Sequence, residues 1–343
     1  MQDIKELTQK ELEAKLLSLG GPKYYAKVIL GWIYQKGVYE FNRMSNLPAS
    51  LRERLSEEFS ILNLALADLQ SSSDGTAKFL FELTDQNLVE AVNIPMSGYS
   101  TGCISSQAGC KFGCNFCASG IKGFKRNLTS GEILDEVLYL KHQEQVQPLT
   151  HVVFMGTGEP LDNYDNVLKA IRVINLPAAF NIGARRITIS TCGIIPGIER
   201  LPQEDLQIEL SISLHAADDL TRSKLMPVNN KYPLPALIKC CREYIARTNR
   251  QITFEYILIK GVNAQLAAAE NLVRLLKDLR LAKVNLIPAN CVPEAKILPP
   301  DEAQIDAFKD YLFNAGLNVT LRRKRGQDID AACGQLRLKY EQN

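Results

Sequence analysis

Three cysteines crowd into eight residues, Cys110-Lys111-Phe112-Gly113-Cys114-Asn115-Phe116-Cys117. With nine cysteines among 343 residues, this CxxxCxxC spacing should arise by chance in only about 0.006 of such chains. Thiolates so arranged hold metal. A structural zinc site takes four ligands and usually shows paired CxxC elements, whereas here a single CxxC is present and no histidine lies nearby. A cubane iron–sulfur cluster on three thiolates leaves one iron open to a small molecule. The spacing favours the cluster, and zinc stays open only through a four-thiolate set that adds Cys103.

Further segments carry weaker local signals. Val152-Val153-Phe154-Met155-Gly156-Thr157-Gly158-Glu159-Pro160 is an apolar strand that breaks into a glycine turn, alone an ordinary strand-to-helix connection. Cys333 stands in Arg325-Gly326-Gln327-Asp328-Ile329-Asp330-Ala331-Ala332-Cys333-Gly334-Gln335-Leu336; a lone cysteine is usually a small buried hydrophobe. Cys192, Cys240, Cys241 and Cys291 read as structural, the middle two within an apolar helix. Local pattern makes Glu90 an exposed strand carboxylate and His215 a histidine satisfied at a strand end.

The elements that must position these residues follow from periodicity. Thr8 with Glu11 forms a capping-box signature, Gly20-Gly21-Pro22 ends that helix and starts another through Ile29, Leu30, Ile33 and Tyr34, and a third runs from Pro48 through Leu51, Leu55 and Phe59. Lys78–Leu83 and Leu88–Ile94 flank Thr84-Asp85-Gln86-Asn87 as a β-hairpin. Beyond residue 100, short strands alternate with amphipathic helices, one opened by the capping box Thr129/Glu132. Six strands precede the last helix, around Cys103–Ser105, His151–Met155, Arg186–Ser190, Ile208–Ser213, Ile252–Ile259 and Val284–Ile287. That is short of a closed eight-unit barrel. The expected architecture is α/β, a partial (β/α)6 TIM-type barrel with an open side. Residues 1–70 form a small helical module, 71–99 the hairpin connection and 100–343 the main domain.

Composition sets bounds. No apolar run approaches the roughly 18 residues of a membrane span, and Met1-Gln2-Asp3-Ile4-Lys5-Glu6 lacks the layout of a signal peptide. An odd cysteine total in a long chain does not suit a secreted disulfide framework, so a cytoplasmic enzyme is expected. A net charge of +2 does not announce a nucleic-acid binder, so local clusters must carry that case.

The cluster loop, with Phe116 before its last cysteine, resembles the radical S-adenosylmethionine superfamily. The similarity extends in order through Cys103-Ile104-Ser105-Ser106-Gln107-Ala108-Gly109-Cys110, Gly158-Glu159-Pro160, Ser213-Leu214-His215-Ala216, Asn285-Leu286-Ile287-Pro288 and the segment around Cys333. Collinear over nearly the whole chain, these motifs resemble the RlmN/Cfr RNA methyltransferases. Pro160 and the basic run Arg323-Lys324-Arg325-Gly326 are more similar to the RlmN branch. Thr157, where methionine is common, and Ala289 before Asn290, where tryptophan is common, are small departures.

The resemblance implies a barrel of the radical SAM type, a [4Fe-4S] cluster on Cys110, Cys114 and Cys117, and methylation of adenosine carbon 2 in 23S ribosomal RNA and transfer RNA. Two S-adenosylmethionine molecules serve each turnover. One methylates Cys333. The second is cleaved to a radical that takes hydrogen from that methyl group, and the resulting carbon radical adds to the base. Glu90 matches the proton acceptor, and Cys103 would release product by forming a disulfide with Cys333. Cofactor contacts fall on Glu159, Pro160, Ser190, Ser213, Leu214, His215 and Asn290. Implied partners are the RNA, an electron donor such as flavodoxin or ferredoxin, and a thiol reductant. RNA contact is expected from Arg322, Arg323, Lys324 and Arg325, from Lys122, Lys125 and Arg126, and from the module's Lys23, Lys27, Lys36, Arg43, Arg52 and Arg54 among Tyr24, Tyr25 and Trp32. The alternatives are carbon-8 methylation of the Cfr type and a non-catalytic, zinc-stabilised RNA-binding protein.

Overall fold

The structure is a computed structural model that describes residues 1–121, 123–143, 147–290, 297–322 and 326–329. After the two-residue strand β1 (Gln2–Asp3), helix α1 (Gln9–Ser18) starts on the expected capping box. The Glu11 amide donates to Thr8 Oγ1 at 3.3 Å, and the Thr8 amide to Glu11 Oε2 at 2.7 Å. Helix α2 (Tyr25–Leu30) widens into a π turn over Gly31–Gln35, which carries Ile33 and Tyr34 into the core. Helix α3 (Ala49–Glu58) stops one residue earlier than the apolar spacing suggests. Phe59 instead opens β2 (Phe59–Ser60), which pairs with β1 in parallel and buries the ring. Buried Lys5 ties this module to the barrel: its ammonium bridges Asp3 at 2.8 Å and Asp135 at 3.0 Å and donates to the Ile61 carbonyl.

Next come β3 (Leu64–Ser71), β4 (Ala77–Leu83), β5 (Leu88–Met96) and β6 (Tyr99–Cys103), each antiparallel to its neighbour. The β4–β5 hairpin is the expected one, with Gln86 at φ +64° in its turn. Strands β7 (Gln107–Gly109) and β8 (Phe124–Asn127) form a small ribbon bracketing the cysteine loop. Then follow α4 (Ser130–Lys141), β9 (Leu149–Phe154), α5 (Tyr164–Asn175), β10 (Ile187–Thr191), α6 (Ile195–Arg200), β11 (Glu209–Ser213), α7 (Asp219–Leu225), α8 (Leu234–Thr248), β12 (Ile252–Leu258), α9 (Leu266–Leu276), β13 (Ala282–Pro288), α10 (Glu302–Asn314) and β14 (Asn318–Leu321).

One sheet of ten strands runs β14-β13-β12-β11-β10-β9-β6-β5-β4-β3. From β6 to β14 every pairing is parallel. All six expected βα units are present, and because β3 and β14 end the order unpaired with each other the barrel is open. Cys103 is the last residue of its strand instead of the first. Two strands of this sheet, β3 and β14, lay outside the sequence expectation, as did the short strands β1, β2, β7 and β8. Helices cover the sheet through apolar faces at helical spacing, such as Val167, Leu168, Ile171 and Ile174 of α5. Cys240 and Cys241 are buried in α8, as read from the sequence.

Candidate active site

In parallel α/β folds, chemistry gathers at the carboxyl ends of the strands, and here those ends surround one cavity of about 900 Å³, its open mouth included. Cys110, Cys114 and Cys117 line one side; Glu159, Ser190, Ser213 and His215 line others.

The cysteine loop is fixed at both flanks. Gly109 has φ +75°, and a Cβ there would lie 1.8 Å from the Gly123 carbonyl oxygen, so only glycine fits. The Asn115 amide donates to the Leu225 carbonyl at 2.9 Å, and the Cys117 amide to the Cys114 carbonyl at 3.0 Å. Phe116 stands edge-on to His215, ring centroids 4.7 Å apart. Burial pushes the Cys110 thiol up to about 11 and Cys114 higher still, and the neighbouring cysteines add to both rises. Binding a metal group here displaces those protons. Among the described residues, no three His, Cys, Asp or Glu side chains converge on a point that could hold a single ion. A cubane takes one thiolate at each of three iron corners and so needs three cysteines on one cavity, which these supply. The residues present fit the cluster.

The glycine turn is stitched to the approach to that loop. Gly158 has φ +102°, and a Cβ there would lie 2.5 Å from Gln107 Cβ. The Gly156 amide donates to the Ile104 carbonyl at 3.0 Å, the Ser106 amide to the Thr157 carbonyl at 2.9 Å, and the Glu159 amide to Gln107 Oε1 at 2.9 Å. Glu159 is buried against the cavity, its carboxylate accepting the Cys192 amide at 2.7 Å and the Leu161 amide at 3.0 Å. Burial raises its pKa, and these hydrogen bonds oppose the rise. Cys192, read as structural, itself lines the cavity.

His215 stands two residues past the end of β11. Its φ is +57°, and its Nδ1 accepts the Ile257 amide at 3.0 Å, so the neutral ring carries its proton on Nε2. Burial, aided by the Arg222 charge, takes its pKa down to about 3. It is a satisfied histidine that also walls the cavity. Pro160, Leu214 and Asn290 are buried but are not among the lining residues. Leu214 acts through its backbone, the amide donating to the Glu255 carbonyl at 3.0 Å.

Arg222 escaped the sequence reading. Fully buried, it donates to the carbonyls of Leu214 at 3.1 Å, Ser213 at 3.1 Å and Cys192 at 2.8 Å, and to Asn229 Oδ1 at 2.8 Å. One guanidinium thus braces the ends of β10 and β11. Glu255 was also missed. It faces the cavity, accepts from Asn285 Nδ2 at 2.8 Å, and burial raises its pKa, with Arg322 opposing. A charge inside the apolar run Phe254-Glu255-Tyr256-Ile257 was the available signal.

Cys103 and Glu90 lie on a neighbouring part of the sheet. Cys103 packs with Val92, and Ile94, Val153, Met155 and Ile329 close around the pair; Met155 also lines the cavity, so the two regions share a wall. Glu90 is buried, not exposed as its local pattern reads, its carboxylate 3.7 Å from the Lys78 ammonium on the inward face of β5. Cys333, Cys291, Lys122, Arg323, Lys324 and Arg325 lie outside the described residues. Gly326 and Asp328 do not. The Gly326 amide donates to Asp74 Oδ2 at 3.1 Å, Ser72 Oγ to Asp328 Oδ1 at 2.5 Å and the Ser73 amide to Asp328 Oδ2 at 3.1 Å. The β3–β4 turn therefore clasps the tail.

Of the basic residues, Arg126 is already committed. It pairs with Glu132 at 2.7 and 2.8 Å and with Asp85, whose carboxyl it holds well below the usual range. Lys23, Tyr24, Lys27, Lys36, Arg43 and Arg54 of the module are exposed.

An open parallel barrel with three cysteines at its carboxyl rim defines a radical SAM enzyme, and the sequence model of the Radical SAM superfamily matches residues 104–275. The model described as Ribosomal RNA large subunit methyltransferase N-terminal domain matches residues 2–61. A radical SAM methyltransferase from Sphaerobacter thermophilus superposes with a TM-score of 0.94 at 41% identity, covering 98% of this chain and 99% of that one. A relative from Pelotomaculum thermopropionicum named "Probable dual-specificity RNA methyltransferase RlmN" is 47% identical over 98% of this chain and 92% of its own length. One of the same name from Geobacillus kaustophilus is 46% identical over 99% and 93%. The chain belongs to the RlmN family of radical SAM RNA methyltransferases.

Proposed function

We propose that this enzyme methylates carbon 2 of an adenosine in ribosomal and transfer RNA by way of a methyl group carried on Cys333. The family implies a [4Fe-4S] cluster and S-adenosylmethionine, with Cys110, Cys114 and Cys117 holding the cluster and Glu159, Pro160, Ser190, Ser213, Leu214, His215 and Asn290 forming the S-adenosylmethionine site. The cluster supplies the single electron that splits S-adenosylmethionine and opens the radical chemistry. Carbon 2 of adenine is an electron-poor sp² position that polar methyl transfer does not reach.

The protein's own part is to carry, place and release. The Cys333 sulfur receives a methyl group from a first S-adenosylmethionine and, after hydrogen abstraction by way of a second, presents a carbon radical to the base. Glu90 takes the ring proton, and the adduct's unpaired electron leaves to a one-electron acceptor, a part the oxidised cluster would fill, so that a closed-shell thioether joins Cys333 to the base. Cys103 then attacks the Cys333 sulfur as thiolate; the sulfur–carbon electron pair leaves with carbon, which takes a proton, and a Cys103–Cys333 disulfide remains for a thiol reductant to open. The observation that carries this reading is the docking of the tail on the Cys103 face. Ile329 packs into the Cys103 cluster, and Cys333 is four residues further along, a reach of at most about 14 Å.

The exposed basic and aromatic residues of residues 1–70, and Arg322 at the cavity, are the proposed RNA contacts. The adenosine must be unstacked to reach the carried radical. An electron donor of the flavodoxin or ferredoxin kind and a cytoplasmic setting complete the proposal. Mass mapping of the methyl group on modified RNA tests it: methyl on carbon 2 supports the proposal, and methyl on carbon 8 replaces it with chemistry of the Cfr type.

The clasp yields a prediction of its own. Burial pushes Asp74 up, but hydrogen bonds from Thr76, Gly326 and Ser72 outweigh it and hold its pKa at about 2. A depressed carboxylate pKa stabilises above the unfolded value and loses that contribution as pH falls through the folded one. The clasp therefore holds at every pH above about 4. Ser72→Ala combined with Asp328→Asn slows oxidant-induced Cys103–Cys333 disulfide formation about tenfold, read by non-reducing peptide mapping. An unchanged rate means the clasp does not place the tail.

A further inference from the structure

Lys78 is a buried cation near the start of β4 that the catalytic scheme leaves unused. Strand pairing puts it on a particular face. Lys78 is directly opposite Val92 across β4–β5, and Val92 is directly opposite Cys103 across β5–β6. Residues opposite one another in a sheet share a face, as do residues two apart in one strand. Lys78, Glu90, Val92 and Cys103 therefore share one face, with the Lys78 and Cys103 backbones about 10 Å apart by two strand spacings. The Lys78 and Glu90 side chains are 5% and 3% exposed and lie 3.7 Å apart. Ile329 closes the same face from above Cys103. Lys78 thus belongs to the compartment where the tail docks.

We propose that Lys78 is a positioning residue that links the proton step at Glu90 to the ionisation of Cys103. This rests on the roles assigned above to those two residues. Before reaction, an ammonium at this distance keeps Glu90 a carboxylate able to accept a proton. When Glu90 takes the ring proton it becomes a neutral acid, and the Lys78 charge is left without its counter-ion. An uncompensated cation favours an anion on the same face, here the thiolate that Cys103, two strands away, forms by giving up its proton to solvent. The thiolate needed for release is thereby favoured only after the base has been deprotonated.

The test uses the full-length, cluster-reconstituted enzyme with Lys78→Met, Lys78→Arg, Glu90→Gln and the double variant Lys78→Met/Glu90→Gln. Three readouts are taken: methyl loading of Cys333 by peptide mass spectrometry, protein–RNA adduct on denaturing gels, and the rate of Cys103 alkylation by iodoacetamide. Lys78→Met should load Cys333 normally, which also reports intact folding and an intact cluster. It should stall with RNA attached as Glu90→Gln does, while Lys78→Arg restores release to within a few-fold. Glu90→Gln, which mimics the protonated acid, should alkylate Cys103 about tenfold faster than the double variant. Normal product release by Lys78→Met beside a stalled Glu90→Gln overturns the proposal and leaves the Glu90 assignment standing. Normal release by Glu90→Gln removes the assignment beneath it. Equal alkylation in Glu90→Gln and the double variant, or failure of methyl loading in both Lys78 variants, shows that Lys78 supports only the fold.

Discussion

Cys103→Ala halts the enzyme after its first encounter with RNA. Methyl loading of Cys333 and attachment to the base need no second thiol, so both proceed. Release does, because the sulfur–carbon bond opens only when another sulfur attacks Cys333. The expected result is near-stoichiometric protein–RNA adduct and a drop in multiple-turnover rate of at least about a thousandfold, seen as an RNA-dependent mobility shift on denaturing gels. Folding should be little affected, since Cys103 packs among Val92, Ile94, Val153, Met155 and Ile329 and loses one sulfur atom. Unimpaired turnover without adduct removes Cys103 from the release step.

Cys114→Ala has an equally large effect for a different reason. With one thiolate gone, the cavity offers two of the three anchors a site-differentiated cubane uses. Anaerobically purified protein should carry about four irons and four sulfides per chain and show the broad visible absorption of a cluster. The variant should lose both, together with all cleavage of S-adenosylmethionine. Stoichiometric zinc in the parent protein, with neither iron nor sulfide, contradicts the account and points to the zinc-stabilised alternative.

Much of the fold was legible because its determinants are local. The capping boxes at Thr8/Glu11 and Thr129/Glu132 formed as spaced, and the six alternating strands paired in order. Strand β3 was missed because Ala65, Asp68 and Gln70 dilute its alternation, and β14 because four residues after a helix give no period. The cysteine loop was legible from spacing alone, but Glu159, Ser190 and Ser213 meet it only through parallel register, which no local pattern encodes. Arg222 was invisible because a seven-residue helix shows too little period to tell an inward arginine from an outward one. Lys78 and Glu90 each stood in plain view as a charge within an apolar strand. That they face Cys103 depends on the pairing of three strands, and that fact turns a buried ion pair into part of a chemical scheme.

One isotope experiment reaches the central claim, that the methyl group passes through Cys333 as a carbon radical. The enzyme is supplied with S-adenosylmethionine bearing a CD3 methyl group, and both the RNA and the released 5′-deoxyadenosine are weighed. Hydrogen abstraction from the carried methyl leaves two deuteriums in the RNA methyl group and places one in 5′-deoxyadenosine. An RNA methyl group that keeps all three, with unlabelled 5′-deoxyadenosine, means direct transfer and contradicts the account.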